Sequence, residues 1–238
     1  MQSENPSEIA GSALVIGASR GLGHAMAQEL ARRGWRVTGT VRGDGRTQLH
    51  DLADEFESQI AIELLDINKP DQIVALDRRL AGQAFDMMFV NAGVMNDDMN
   101  ETIAETTTEE FTRLMITNTL SPMRVIEGLQ DRVTPHGMIG VMSSGLASIG
   151  DNTGGGNEVY RASKAALNMC MRSYAARQAD AGRSLVLLAP GWIRTDLGGE
   201  DAPITMDEAM PEVVDTLLIQ QGRPGLHYVD RAGRTLPW

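Results

Sequence analysis

Tyr160 and Lys164 stand four positions apart in the run Tyr160-Arg161-Ala162-Ser163-Lys164, downstream of the pair Ser143-Ser144 and the glycine run Gly154-Gly155-Gly156. On a helix, positions i and i+4 share a face. Ala162, Ala165, Ala166 and Leu167 supply the propensity for one here. A cation held beside a phenol favours its ionised form and lowers its pKa, so the pair is a candidate proton donor to a carbonyl oxygen. The spacing alone arises by chance in many helices, and its meaning depends on what the rest of the chain places around it.

A second constellation is Gly17-Ala18-Ser19-Arg20-Gly21-Leu22-Gly23, between a short apolar run at 13–16 and a helical pattern at 23–33. Glycines at this spacing let the backbone turn sharply and approach a pyrophosphate, while the N-terminus of the following helix favours negative charge. A tight strand-to-helix turn would use glycine too, but the position after the first strand favours a nucleotide. An acidic residue at the end of the second strand holds a ribose 2′-hydroxyl, whereas a 2′-phosphate calls for arginine. The chain reads Thr38-Gly39-Thr40-Val41-Arg42 there, with no acid until Asp44 and with Arg20 inside the glycine loop. These two arginines favour NADP(H) and leave NAD(H) open. Asp66 and Ile67, after the third strand, are candidates to bond and pack an adenine.

The elements that must hold these groups alternate regularly. Apolar runs at 13–16, 36–41, 60–65, 85–90, 138–142 and 185–189, with a seventh near 226–229, are separated by helical patterns at 23–33, 46–57, 70–82, 109–129 and 160–181. Such alternation predicts parallel βαβ units. Thr107-x-x-Glu110, Thr205-x-x-Glu208 and Pro70-Asp71 mark helix starts. The irregular segments 91–106, 143–158 and 195–209 follow the fourth, fifth and sixth strands, so they should line the crevice at the carboxyl ends of the sheet.

Composition narrows the class. A chain of 238 residues with 42% apolar content holds one substantial core. We therefore expect one domain over residues 11–238 behind a flexible tail at 1–10. A net charge of −11 and a pI near 4.8 argue against nucleic-acid or anionic-membrane partners. Cys170 is single, and His24, His50, His136 and His227 are dispersed, so neither a disulfide framework nor a metal site is expected. With no signal-like start and no apolar run long enough to span a bilayer, the expected setting is cytoplasmic. Met87, Met88, Met95, Met99, Met169 and Met171 read as core and pocket filler.

The chain resembles the classical short-chain dehydrogenases/reductases over nearly its whole length. The likeness rests on Gly17-x-x-x-Gly21-x-Gly23, Asn91-Ala92-Gly93, Asn118, Ser144, Tyr160-x-x-x-Lys164 and Pro190-Gly191, in that order. The runs from Ser143 to Ile149 and from Tyr160 to Asn168, with Leu236-Pro237-Trp238, are similar to the C-factor/sniffer-like carbonyl reductase branch.

The resemblance implies an α/β fold with a Rossmann-type doubly wound parallel sheet of about seven strands and helices on both faces. It also implies roles. Tyr160 would be the general acid, Lys164 would hold the nicotinamide ribose and lower the tyrosine pKa, and Ser144 would bond the substrate oxygen. Asn118, through a local helix distortion and a water, would link Lys164 to solvent. Asn91, Ala92 and Gly93 would pack beside the adenosine ribose. Pro190, Gly191, Ile193 and Thr195 would cover the nicotinamide. Ile16 and Val90 depart from the family's Thr and Asn at those places, and residues 151–158 lengthen the path from Ser144 to Tyr160 as a flexible insertion. The implied activity is NADP(H)-dependent hydride transfer to or from a small carbonyl or alcohol substrate, in a homodimer or homotetramer. A second reading is a dinucleotide-binding signalling or interaction protein with incidental turnover.

Overall fold

The computed structural model describes residues 9–96, 98 and 100–238. Of the tail expected at 1–10, only Ile9 and Ala10 fall among them, and Met99 lies outside the described residues.

Seven strands, β1 (Gly11–Ile16), β2 (Trp35–Val41), β3 (Ile60–Leu64), β4 (Phe85–Val90), β5 (Val133–Met142), β6 (Ser184–Ala189) and β7 (Gly225–Asp230), form one sheet in the order β3-β2-β1-β4-β5-β6-β7. Each neighbouring pair is parallel. The crossovers carry α1 (Gly21–Arg32), α2 (Gln48–Glu55), α3 (Pro70–Arg79), α4 (Thr108–Met115), α5 (Ser121–Leu129), α6 (Glu158–Arg177) and α7 (Met206–Gln220). After β3 the chain crosses to the far side of β1 to enter β4. The loops leaving β1 and β4 therefore diverge and open a crevice at their carboxyl ends.

Strand alternation divides the core in two. Leu14, Ile16, Met88, Val90, Ile139, Val141, Leu185 and Leu187 face α3, α5 and α6, where they meet Leu76, Ile126, Leu129, Leu167 and Met171. Their neighbours Ala13, Val15, Met87, Phe89, Met138, Val186 and Leu188 face α1, α2 and α7, against Met26, Leu30, Leu49, Val213 and Leu217. Burial on both faces explains why these strands read as continuous apolar runs.

The helix signals hold in detail. The Thr107 hydroxyl accepts the amide of Glu110, Thr205 and Glu208 form a reciprocal capping box, and Pro70 stands in the first turn of α3. A further box, Thr47 with His50, starts α2 and carries no Glu or Gln to announce it. The long helix expected over 109–129 is α4 and α5 joined by a π-helical turn at Ile116–Leu120. Met87, Met88 and Met171 are core residues, but Met169 is 64% exposed. Its place on the outer face of α6 corrects the reading of it as filler.

Gly140 lies where β5 crosses the Phe89 ring, and a Cβ there would stand 2.5 Å from it. Gly140→Ala is expected to lower stability by about 1–3 kcal/mol through overpacking. Urea denaturation checks this, and an unchanged midpoint would mean that Phe89 moves aside freely.

Candidate active site

The first strand ends in a cradle that only glycine can form. A Cβ on Gly23 would stand 2.1 Å from the Gly17 carbonyl oxygen and 2.7 Å from Asn91 Nδ2, and Gly17 itself has a φ of +86°. Helix α1 starts at Gly21 with no side-chain cap and no acidic residue in its first turn. Its N–H groups and positive dipole end are thus left for an anion. This donor set fits the pyrophosphate of a dinucleotide.

The two departures from the family pattern are covered by neighbours. Gly17 N–H donates to Thr40 Oγ1 at 2.9 Å and Ala18 N–H to the Thr40 carbonyl at 2.9 Å. Asn91 Nδ2 donates to the Gly17 carbonyl at 3.0 Å, while the amides of Asn91 and Ala92 both reach the Ile16 carbonyl. Thr40 is a site residue that sequence reasoning passed over. Its position near the end of β2, opposite the glycine loop in register, was the available signal.

Around this cradle, Ser19 and Leu22 are half-buried, and Leu22 packs on the α1 face of the core. Arg20 is exposed and paired with Asp196 at 2.8 Å. The pair closes over a cavity of about 320 Å³ that His24, Gln48, Thr195 and Met206 also line. Burial holds the His24 imidazole below its ordinary pKa. Arg42 is exposed just past β2 and makes no ion pair among the described residues. At the end of β3, Asp66 Oδ1 accepts the Asn68 amide at 3.0 Å, and Ile67 is packed into the core at 5% exposure.

The chemical end of the crevice gathers Asn118, Ser144, Tyr160 and Lys164 from three different elements. The N-terminal half of α6 carries Tyr160 and Lys164, both buried, with Lys164 Nζ 5.9 Å from the phenol ring centre. Nζ donates to the Met142 carbonyl at 3.0 Å. A Cβ on Gly93 would come within 3.2 Å of both Nζ and Asn118 Oδ1, so the absence of a side chain lets that turn lie close against the pair. The Asn118 side chain is fully engaged. It accepts from Val94 N–H and donates to the Val94 carbonyl, each at 2.8 Å, and donates to Ser163 Oγ at 3.0 Å. Ser163 in turn donates to the Tyr160 carbonyl at 2.8 Å. Asn118 thus fastens the turn after β4 to the helix bearing the reactive pair. Its place in the π-helical turn is the distortion that the resemblance implies.

Ser143 and Ser144 separate by direction. Ser143, at 2% exposure, donates to Asn168 Oδ1 at 2.7 Å and belongs to the interior. Ser144 is half-buried, accepts the Leu146 amide at 3.1 Å and lies beside the Tyr160 hydroxyl, whose ionised form it favours. With a lone pair of its oxygen taken by Leu146, the Ser144 hydroxyl keeps a proton to donate, and the Tyr160 oxygen is the neighbour toward which it favours negative charge.

One electrostatic expectation is corrected. Tyr160 is pushed up to about 12 by burial, opposed only by its bond to Ser144, and Lys164 is pushed down to about 8 by the same cause. Desolvation by burial is the largest influence on both groups. The tyrosine is a phenol throughout the neutral range.

The remaining wall follows β6. Gly191 turns at φ +92° with a Cβ position 2.8 Å from Arg231 Nη1, Ile193 bridges to Ile204, and Thr195 Oγ1 accepts the Gly198 amide at 2.9 Å. The insertion at 151–158 is fastened. Arg161 donates to the carbonyls of Gly156 at 2.8 Å and Gly155 at 2.9 Å, and reaches that of Leu146 at 3.4 Å. Among the described residues no His/Cys/Asp/Glu group could hold a metal, and no helix is long and apolar enough to cross a membrane.

These features agree with what the chain is similar to. The family model described as enoyl-(acyl carrier protein) reductase matches residues 17–218. A short-chain dehydrogenase/reductase from Burkholderia multivorans, solved with bound NADP, superposes with a TM-score of 0.94 at 56% identity, over 95% of this chain and 99% of that one. Carbonyl reductase Sniffer of D. melanogaster gives 0.84 at 27% identity, over 95% and 99% of the two chains. The 1-hydroxy-2-glutathionyl-2-methyl-3-butene dehydrogenase of Rhodococcus sp. (strain AD45) is 32% identical over 86% of this chain and 89% of its own. A parallel sheet with its glycine cradle, buried Tyr-Lys pair and adjoining serine accounts for that likeness: the chain belongs to the short-chain dehydrogenase/reductase family of oxidoreductases.

Proposed function

We propose that this protein is an NADP(H)-dependent carbonyl reductase in which Tyr160 protonates the oxygen of a small ketone or aldehyde. The observation that carries the reading is the buried meeting of Ser144, Tyr160 and Lys164 beneath Gly93 and Asn118, at the crevice end opposite the glycine cradle. When bound, the reduced nicotinamide supplies the hydride. Tyr160 Oη holds the proton at neutral pH, as a donor toward a carbonyl must. Ser144 donates a hydrogen bond to the same oxygen as its charge develops. Lys164 Nζ, released from the Met142 carbonyl, takes the ribose hydroxyls and favours the phenolate left after transfer. The π-helical turn at Asn118 opens a path by which Lys164 regains a proton from solvent.

Arg42 and Arg20 receive the 2′-phosphate, with Arg20 leaving Asp196 to do so. NADP in the Burkholderia structure supports this choice over NAD. Asn91, Ala92 and Asp66 contact the adenosine. Pro190, Gly191, Ile193 and Thr195 contact the nicotinamide. The same reading includes a cytoplasmic setting and a homodimer or homotetramer built on α4, α5 and α6, where Phe111, Leu120 and Met169 are exposed.

Tyr160→Phe is expected to bind NADPH as the wild type does and to lose at least about 100-fold in kcat. NADPH oxidation over a panel of ketones and aldehydes measures this; retention of wild-type turnover would remove Tyr160 from the chemistry. For Arg42→Ala, NADPH affinity should fall about tenfold or more with NADH affinity unchanged. Titration of both dinucleotides decides, and equal loss would place Arg42 away from the phosphate.

Burying Lys164 also has a stability signature. Its folded pKa near 8 lies below the unfolded value of 10.5, so between the two the unfolded chain binds the extra proton and stability rises with pH. Lys164→Met should therefore melt higher than the wild type at pH 7, with the gap closing as pH rises from about 8 to 10.5. A gap independent of pH would show that the wild-type cation is not penalised by burial.

A further inference from the structure

The remainder of the molecule holds one polar connection into the site that the reaction scheme leaves unused. Tyr228, on β7 and 1% exposed, donates its hydroxyl proton to the main-chain carbonyl of Ser144 at 2.5 Å. We propose that Tyr228 is a positioning residue for Ser144, holding the peptide that aims the serine hydroxyl at Tyr160 and at the substrate oxygen. The proposal rests on the reading of Ser144 given above.

Ser144 needs such a hold because it lies beyond the ladder. The last backbone bond from this end of β5 is that of Ser143 N–H to the Leu188 carbonyl at 2.8 Å. Past it, among the described residues, the Ser144 carbonyl accepts only the Ala147 amide, at 3.0 Å in a short 3-10 turn, and the Tyr228 hydroxyl. Turn bonds of this kind are poor constraints on their own. Tyr228 is itself held from several sides. It pairs with Leu187 in the sheet, and its carbonyl accepts the Leu236 amide at 2.9 Å. Asn168, already bonded to Ser143, faces its hydroxyl. The Trp238 ring lies against its ring at 5.4 Å between centroids, with the Arg172 guanidinium 4.5 Å from the indole on α6.

The far end of the same segment is tied to the same group, since Gly150 N–H donates to the Trp238 carbonyl at 2.9 Å. The stretch from Ser144 to Gly150 is thus anchored at both ends by residues at or after β7. The Tyr228 hydroxyl donates to the Ser144 carbonyl, and burial, which pushes the phenol up to about 12, keeps that proton in place.

A double-mutant cycle in the full chain tests this. Tyr228→Phe keeps the ring and the Trp238 contact and removes only the hydroxyl. We expect kcat for ketone reduction to fall about tenfold, as for a small misplacement of a catalytic group. NADPH affinity and substrate KM should stay near wild-type values. In a Ser144→Ala background the same substitution should change kcat by less than about twofold, because the group being aimed is gone. Tyr174→Phe, which removes an equally buried hydroxyl bonded to Gln130 at 2.8 Å, is the control for general loosening and should leave kcat unchanged. Should Tyr228→Phe fail to fold, Trp238→Ala carries the same expectation of a kcat loss that vanishes in Ser144→Ala. Additive losses, or a Tyr228→Phe enzyme with wild-type kcat beside a crippled Ser144→Ala, would overturn the positioning role. A fully active Ser144→Ala would instead overturn the reading of Ser144, and the proposal with it.

Discussion

The buried cation of Lys164 is the constraint around which the site is organised. An ammonium at 3% exposure has surrendered nearly all its water and holds one carbonyl in return. Burying a charge with so little compensation costs stability unless the group titrates or finds further partners. A fold keeps such a feature where a function needs it, and the surrounding choices follow from it. Gly93 lies close beside the ammonium, where a Cβ would stand 3.2 Å from Nζ and crowd it. Asn118 must span Val94 and Ser163 because the turn after β4 has to be fixed without adding a second charge beside the first. The π-helical turn follows from asking one helix to carry that asparagine into the interior while α5 still packs its apolar face on the sheet.

The same economy of space governs the other end of the crevice. Gly23 and Gly17 approach each other closely enough that a Cβ on Gly23 would collide with the Gly17 carbonyl, and α1 leaves its first N–H groups unanswered by its own side chains. Local helix stability is thereby given up at the N-terminus of α1, which the packing of Met26, Leu30 and Ala27 against β1 and β2 offsets. The Arg20–Asp196 pair has both partners widely exposed, so it is weak and can be exchanged for a phosphate at little cost.

Much of this was legible in the amino-acid order. Apolar runs, each as long as a strand and separated by helical periods, imply a doubly wound sheet because parallel strands are covered on both faces, as Leu14 and Val15 are. The glycine loop and the Tyr160–Lys164 spacing mark local geometry that few other residues satisfy. What escaped notice depends on contacts between elements distant in sequence. Thr40 accepts the Gly17 amide across the strand boundary, and nothing within its own strand distinguishes it from an ordinary β-branched residue. Met169 looks like its neighbour Met171 until the rotation of α6 is known. The sign of the Tyr160 shift was misread because spacing reveals the nearby cation, while desolvation depends on everything else packed around the pair.

The choice between Ser143 and Ser144 shows how tertiary contacts convert an ambiguous pair into a directed one. Adjacent residues of a strand point to opposite faces, so one hydroxyl of any such pair must turn inward. Asn168, on the buried side of α6, claims Ser143. Ser144 then begins the 3-10 turn, where the Leu146 amide occupies one side of its oxygen and the chain leaves the sheet. At that point the sheet ladder no longer controls the peptide, although the proposed chemistry would need its hydroxyl in one place relative to Tyr160. The order required of Ser144 therefore has to come from outside β5. A rigid element that reaches the Ser144 carbonyl directly is β7, two strands away across β6, which is how a tyrosine remote in sequence can bear on the placement of Ser144.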